Sequence, residues 1–207
     1  TPADKAKMPD VPYVWTTSHV DIILENKEDD MSVKVKNISS FFTTLEVESL
    51  SEGNVSRIIK AGYDTIPKIL KMKMEDFSTV EGFKEKLSTK ILNSIKEKIE
   101  KADIVKIAAA SNKLGRGIGE KKIKPILEKY PDFFTNNIGE EERKTKLKEV
   151  NGIGKENAES IVKNMPELLE FIRQCELNNK LEYEKEPEKP ISEEIKSHPL
   201  YLSLIHI

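Results

Sequence analysis

The chain has 207 residues, of which 37% are hydrophobic, 34% are charged and 6% are aromatic, and its formal net charge is −2. This length suits one large domain or two small ones, and the low aromatic share argues against a large β-sandwich. No apolar run reaches the roughly 18 residues of a membrane span, so we expect no membrane partner. The one cysteine, Cys175, rules out a disulfide framework and a cysteine-rich zinc site, so we expect no metal site and an intracellular, non-secreted protein.

The first thirty residues differ in composition from the remainder of the chain. β-branched and aromatic residues dominate residues 11–24, and residues 20–24 predict a strand, so residues 1–30 are assigned to a small β element. From Met31 onward, apolar residues recur at spacings of three and four, which is typical of amphipathic helices. This pattern predicts a mainly α domain over residues 31–177. The predicted helices cover residues 31–45, 65–72, 84–101, 103–114, 119–130, 155–164 and 167–175, the last with Pro166 at its start.

The charge is distributed unevenly along the chain. Residues 176–207 hold seven acids against four lysines, whereas residues 112–130 hold six basic residues against two acids. The near-neutral average therefore hides a basic stretch and an acidic tail. We interpret residues 178–201 as an acidic linker. Residues 202–207 are interpreted as a translated sequencing adapter, with a short C-terminal strand as the alternative.

A twelve-residue pattern occurs four times without gaps, in residues 47–58, 80–91, 115–126 and 150–161. The third place is small, the fourth is apolar and the last is always isoleucine, and the third places are 33, 35 and 35 residues apart. A tight turn followed by a helix therefore recurs, which predicts tandem helical hairpins. The third and fourth places are Ser49-Leu50, Gly82-Phe83, Gly117-Ile118 and Gly152-Ile153, and the last places are Ile58, Ile91, Ile126 and Ile161.

Turns of this kind predict a site for anions built from the backbone. Glycine permits φ > 0 and close approach, while the amides at the start of the next helix point outward with the positive end of its dipole. A phosphodiester is the natural ligand, and contacts to it carry no base information. We therefore predict sequence-independent binding of duplex DNA. The candidate DNA-binding residues are Gly82, Phe83, Lys84, Lys86, Arg116, Gly117, Ile118, Gly119, Lys121, Lys122, Gly152, Ile153, Gly154 and Lys155.

The turns differ in how well they suit this role. Only the third and fourth keep both glycines, so we expect these two to dominate DNA binding. In the second turn, Lys84 replaces the second glycine, which exchanges close approach for charge. In the first turn, Ser49 and Ser51 replace both glycines, and we expect a structural role. An alternative from another class is a helical module for protein–protein contacts whose hairpins bind no phosphate.

The repeated pattern is the helix-hairpin-helix motif, and its arrangement resembles the C-terminal half of NAD-dependent DNA ligases over about residues 8–177. Residues 41–54 and 80–86 resemble the family's domain of four such motifs, and residues 110–122 resemble versions from large DNA viruses. Bacterial members carry a four-cysteine zinc finger where residues 1–30 stand. Because no cysteine occurs there, the resemblance implies a metal-free β element in its place.

The resemblance also implies what the rest of the parent enzyme does. A catalytic portion with an adenylated lysine would lie upstream in cis and use NAD and Mg²⁺, and a BRCT domain would follow the acidic linker. No Lys-x-Asp-Gly sequence occurs here, so we expect a non-catalytic fragment with no catalytic residue and no cofactor of its own. In the parent enzyme this domain would clamp nicked double-stranded DNA in replication and repair. The remaining alternative is a helix-hairpin-helix module of another DNA repair protein.

Overall fold

The computed structural model describes residues 13–15, 22–24 and 30–183 of the chain. Helices make up most of this part, so the prediction of a mainly α fold is confirmed. Most of the predicted acidic linker and all of residues 202–207 lie outside the described residues. The helices are α1 (Met31–Thr44), α2 (Glu52–Lys60), α3 (Ile66–Leu70), α4 (Met74–Ser78), α5 (Glu85–Lys101), α6 (Ile104–Ser111), α7 (Glu120–Lys129), α8 (Glu140–Lys148) and α9 (Lys155–Gln174).

Two short strands form the β element near the beginning of the chain. Strands β1 (Tyr13–Trp15) and β2 (Ile22–Leu24) pair antiparallel, with Val14 opposite Ile23. The second strand lies within the predicted residues 20–24. None of the helices in the described part of the chain is both long and apolar enough to cross a bilayer.

Consecutive helices form four packed pairs, α1 with α2, α4 with α5, α6 with α7 and α8 with α9. In the turn inside each pair, the residue at the third place of the sequence pattern is in the left-handed region. In the last three turns, the fourth-place amide donates to the first-place carbonyl, which defines a β-turn whose third residue has φ > 0. The left-handed residues are Ser49 (φ 65°), Gly82 (77°), Gly117 (77°) and Gly152 (84°).

The repeated apolar residues build the core of the four hairpins. The last-place isoleucines are at most 1% exposed, and burial of each contributes roughly 1.5–3 kcal/mol. One cluster of buried side chains extends from Val35 to Leu177. The apolar helix α6 contacts both α1 and α9, so it links the first and last hairpins to the third.

The prediction of two helices over residues 155–164 and 167–175 is wrong, because α9 runs unbroken through Pro166. Proline has no amide hydrogen and therefore removes one helical hydrogen bond. The buried side chains of Val162, Met165 and Leu168 nevertheless continue along one face on both sides of the proline. Packing of this continuous face offsets the lost hydrogen bond.

Candidate nucleic-acid interface

The turns of the third and fourth hairpins expose their backbone. A methyl group placed on Gly117, Gly119, Gly152 or Gly154 would meet no protein atom within 4 Å. The left-handed φ of Gly117 and Gly152 accounts for glycine at those two positions. Gly119 (φ −109°) and Gly154 (φ −78°) have extended backbones that any residue adopts. Neither the backbone conformation nor packing within the protein therefore requires glycine at these two positions.

The helices that follow these turns begin with free amide groups. Gly119 and Gly154 are the N-caps of α7 and α9, and neither supplies a capping side chain. Within residues 30–183, the amides of Glu120 and Lys121 donate to no carbonyl or side chain. Helix α6 differs, because the Asp103 carboxylate accepts from the Lys106 amide at 2.8 Å. Uncapped amides at the positive end of a helix suit an oxyanion.

The third and fourth turns belong to one surface. The Lys122 ammonium donates to the Asn157 side-chain oxygen at 3.2 Å, and each residue is the third of its helix, so the starts of α7 and α9 lie side by side. Farther along α9, the Ser160 hydroxyl donates to the Leu114 carbonyl at 2.9 Å. The Asn164 amide donates to the same carbonyl at 3.2 Å. These contacts hold the third turn against α9.

Five of the six predicted cations of the turns remain available to a ligand, whereas Lys122 donates to Asn157. Lys84, Lys86, Arg116, Lys121 and Lys155 are exposed, and none lies within 4 Å of a carboxylate in the described part of the chain. Some lysines elsewhere on these hairpins are paired. The ammonium of Lys113 lies 2.5 Å from Glu167, and that of Lys129 lies 3.1 Å from Glu149. The turns therefore present unpaired positive charge next to the exposed backbone.

The apolar candidates have a different role from the glycines and lysines. The side chains of Phe83, Ile118 and Ile153 are 9%, 3% and 6% exposed and point into the core. Phe83 stacks on Phe77 with ring centroids 6.2 Å apart. These side chains anchor the turns, so that their backbones can face outward.

The second turn has a neighbour that sequence reasoning missed. The Arg57 guanidinium of α2 lies over Gly82, with Nη1 3.1 Å from the position that a Cβ on Gly82 would occupy. Arg57 occupies the second-last place of the first repeat, where nothing distinguishes it from any other surface arginine. Only the packing of the first hairpin against the second brings it to this turn.

Residues of the first turn form hydrogen bonds and ion pairs with other helices of the protein. The Glu48 amide donates to the Ser94 hydroxyl at 2.8 Å, and the Glu48 carboxylate lies 2.9 Å from Lys90. The Glu46 carboxylate lies 2.7 Å from Lys106, whose hydrogen bond and charge lower the pKa of Glu46. These contacts tie the turn to α5 and α6, and its acids would repel a phosphate. The geometry therefore favours a structural role for the first turn.

No protein-family model matches the chain. It is 36% identical over 174 residues to the DNA ligase of Acanthamoeba polyphaga mimivirus, which covers 83% of this chain and 27% of that protein. It is 34% identical over 100 residues to the putative DNA ligase 205R of Invertebrate iridescent virus 6, covering 48% of this chain and 16% of that protein. It is 33% identical over 113 residues to the putative DNA ligase 052L of Invertebrate iridescent virus 3, covering 55% of this chain and 15% of that protein.

The chain thus spans at most about a quarter of the length of each of these relatives. The match to the mimivirus protein nevertheless includes most of the residues of this chain. The chain is accordingly related in sequence to part of the DNA ligases of mimivirus and iridescent viruses.

Proposed function

We propose that this chain is the helix-hairpin-helix DNA-binding portion of an NAD-dependent DNA ligase of the viral type. In this proposal the third and fourth hairpins grip double-stranded DNA by its phosphates, without regard to base sequence. The relatives named as DNA ligases support the choice of ligand, and the exposed turns support the mode of binding. The nicked strand would be sealed by a catalytic portion upstream in the same chain.

Glycine at positions 119 and 154 is the observation that carries the proposal. The equivalent positions in the first two turns are Ser51 and Lys84, so the fold accepts a side chain there. A phosphate oxygen must come within about 3.2 Å of an amide nitrogen to accept its hydrogen bond. A methyl group on either glycine would obstruct the phosphate as it approaches the amide. Glycine at these two positions keeps the approach open.

The chemistry of strand sealing is not assigned to these residues. In the described part of the chain, no group of three or more His, Cys, Asp or Glu side chains lies close enough together to hold a metal ion. We place the Mg²⁺ and NAD that the resemblance implies in the catalytic portion. The contribution of the hairpins is to bind and orient the duplex.

The double variant Gly119→Ala/Gly154→Ala tests the proposal. Both backbones are extended and neither methyl meets a protein atom within 4 Å, so the fold should be unchanged. Hydrogen bonds to a charged acceptor contribute about 1.5–3 kcal/mol, so losing the contacts at both turns should weaken duplex binding by at least about tenfold. Fluorescence anisotropy with two duplexes of unrelated sequence measures this loss, with and without a nick.

Ser51→Ala is the matched control, because it alters the same place in the first turn and should leave the affinity unchanged. Wild-type binding should be equal for the two sequences. If roughly six phosphates are contacted, log K should fall with log salt at a slope of about −5. Unchanged affinity of the double variant, or wild-type binding that ignores salt, would refute the phosphate grip. Absence of duplex binding would favour a protein–protein module.

A further inference from the structure

A concave site of about 340 Å³ lies between the end of α2 and the second turn. It combines residues of two hairpins, since Arg57, Lys60 and Ala61 come from the first and Thr79, Glu81 and Gly82 from the second. The lining contains two cations and one acid and therefore carries a net charge of +1. Neither cation lies within 4 Å of a carboxylate of the described residues, so neither forms an ion pair with Glu81.

The Arg57 side chain lies close to Gly82. The guanidinium lies directly over the turn, where a Cβ on Gly82 would be 3.1 Å from Nη1 and 3.7 Å from Cζ. A side chain on Gly82 would displace the guanidinium and would also be strained at φ 77°. Within residues 30–183, the N–H groups of Arg57 find no acceptor. The guanidinium N–H groups of Arg57 thus lie beside the exposed backbone of the second turn and donate no hydrogen bond within the described part of the protein.

We propose that Arg57 and Lys60 form, with the Gly82 turn, a phosphate-binding site that the first hairpin supplies to the second. The site rests on the proposed function, because it adds a contact to the same DNA. A guanidinium can bind two phosphate oxygens at once, which an ammonium cannot. The guanidinium would bind the phosphate that the Lys84 side chain keeps away from the backbone. Its positive charge, with that of Lys60, would outweigh the negative charge of Glu81 at the tip of the turn. The first hairpin then contributes to DNA binding through α2, although its own turn is engaged with α5 and α6.

The test compares Arg57→Gln with Lys96→Gln. Lys96 is an exposed lysine of α5 with no ion pair in the described residues, and it lies eleven residues, or about 16 Å, beyond the start of the helix at Glu85. Both variants remove one positive charge from an exposed site, so neither should change the thermal unfolding midpoint. Affinity for a duplex is measured across a series of salt concentrations.

Arg57→Gln should weaken binding at least fivefold and make the slope of log K against log salt shallower by about 0.9, the effect of one lost phosphate contact. Lys96→Gln should leave the slope unchanged. Arg57→Lys should keep the slope but recover only part of the affinity, because one ammonium replaces the fork. If Arg57→Gln and Lys96→Gln change the affinity and the salt slope equally, the proposed site is wrong.

The outcomes also separate this site from the proposed function. If Gly119→Ala/Gly154→Ala weakens binding but Arg57→Gln does not, only the site at the second turn is wrong. If the wild-type chain shows no salt-dependent duplex binding, both are wrong.

Discussion

Gly115 leaves no room for a side chain between the third hairpin and α9, and its replacement by alanine should destabilise the fold. A Cβ on Gly115 would lie 2.3 Å from the Ser160 hydroxyl oxygen and 3.3 Å from the Asn164 amide nitrogen. The other three repeats carry valine at this place, in Val47, Val80 and Val150. Glycine is required here because of the neighbouring helix and because φ is 114°.

The cost of Gly115→Ala has two parts. A residue other than glycine at this φ costs about 1–3 kcal/mol. The Ser160 hydroxyl must also move, which breaks its 2.9 Å hydrogen bond to the Leu114 carbonyl and costs about 0.5–1.5 kcal/mol more. The free energy of unfolding should therefore fall by about 1.5–4.5 kcal/mol. Gly117→Ala, at φ 77° with no atom near the new methyl, should show the strain alone.

Urea unfolding followed by circular dichroism measures these differences, and a double-mutant cycle isolates the contact. In a Ser160→Ala background, the nearest remaining atom of that residue is its Cβ, 3.7 Å from the new methyl, which is an ordinary contact. Gly115→Ala should then cost about 0.5–1.5 kcal/mol less than in the wild type. An equal cost in both backgrounds, or a cost no larger than that of Gly117→Ala, would refute this reasoning.

Two further predictions concern buried polar groups of the fourth hairpin. The Arg143 guanidinium is 7% exposed and donates to the carbonyls of Phe133, Asn136 and Ile138. Arg143→Ala would leave these carbonyls without their donor and should lower the free energy of unfolding by about 3 kcal/mol, as measured by urea unfolding; a loss below about 1 kcal/mol would contradict this. Burial raises the pKa of the Cys175 thiol to about 12, so little thiolate exists at pH 8 in the folded chain. A thiol-specific disulfide reagent should therefore react much more slowly with the native chain than with the chain in urea, and equal rates would show that the thiol is accessible.

The helices and turns could be predicted from sequence where their causes are local. The helix predicted over residues 103–114 is α6, and Asp103 is its N-cap, because the carboxylate needs only an amide three residues later. The repeated glycines predict the turns, and three of the four left-handed residues at the third place of the repeats are glycine. The short helix α4 is missed, because five residues with one buried side chain, Phe77, are too few to show a period.

The break predicted at Pro166 shows where local rules stop. Proline favours the start of a helix by its own conformational preference, but the buried face of α9 continues past it. That face is apolar on both sides of the proline because it packs against the rest of the core. Tertiary packing therefore outweighs the local preference.

The composition of the candidate interface is decided only by the tertiary structure. The sequence indicates that glycines and lysines of the turns belong to it. The fold alone brings Arg57 to Gly82, Lys122 to Asn157 and Ser160 to Gly115, which are 25, 35 and 45 residues apart in the chain. Turns and helix ends depend on neighbours within about four residues, so a sequence pattern can record them. Contacts between hairpins depend on how whole helices pack around a shared core, and no short stretch of sequence contains that geometry.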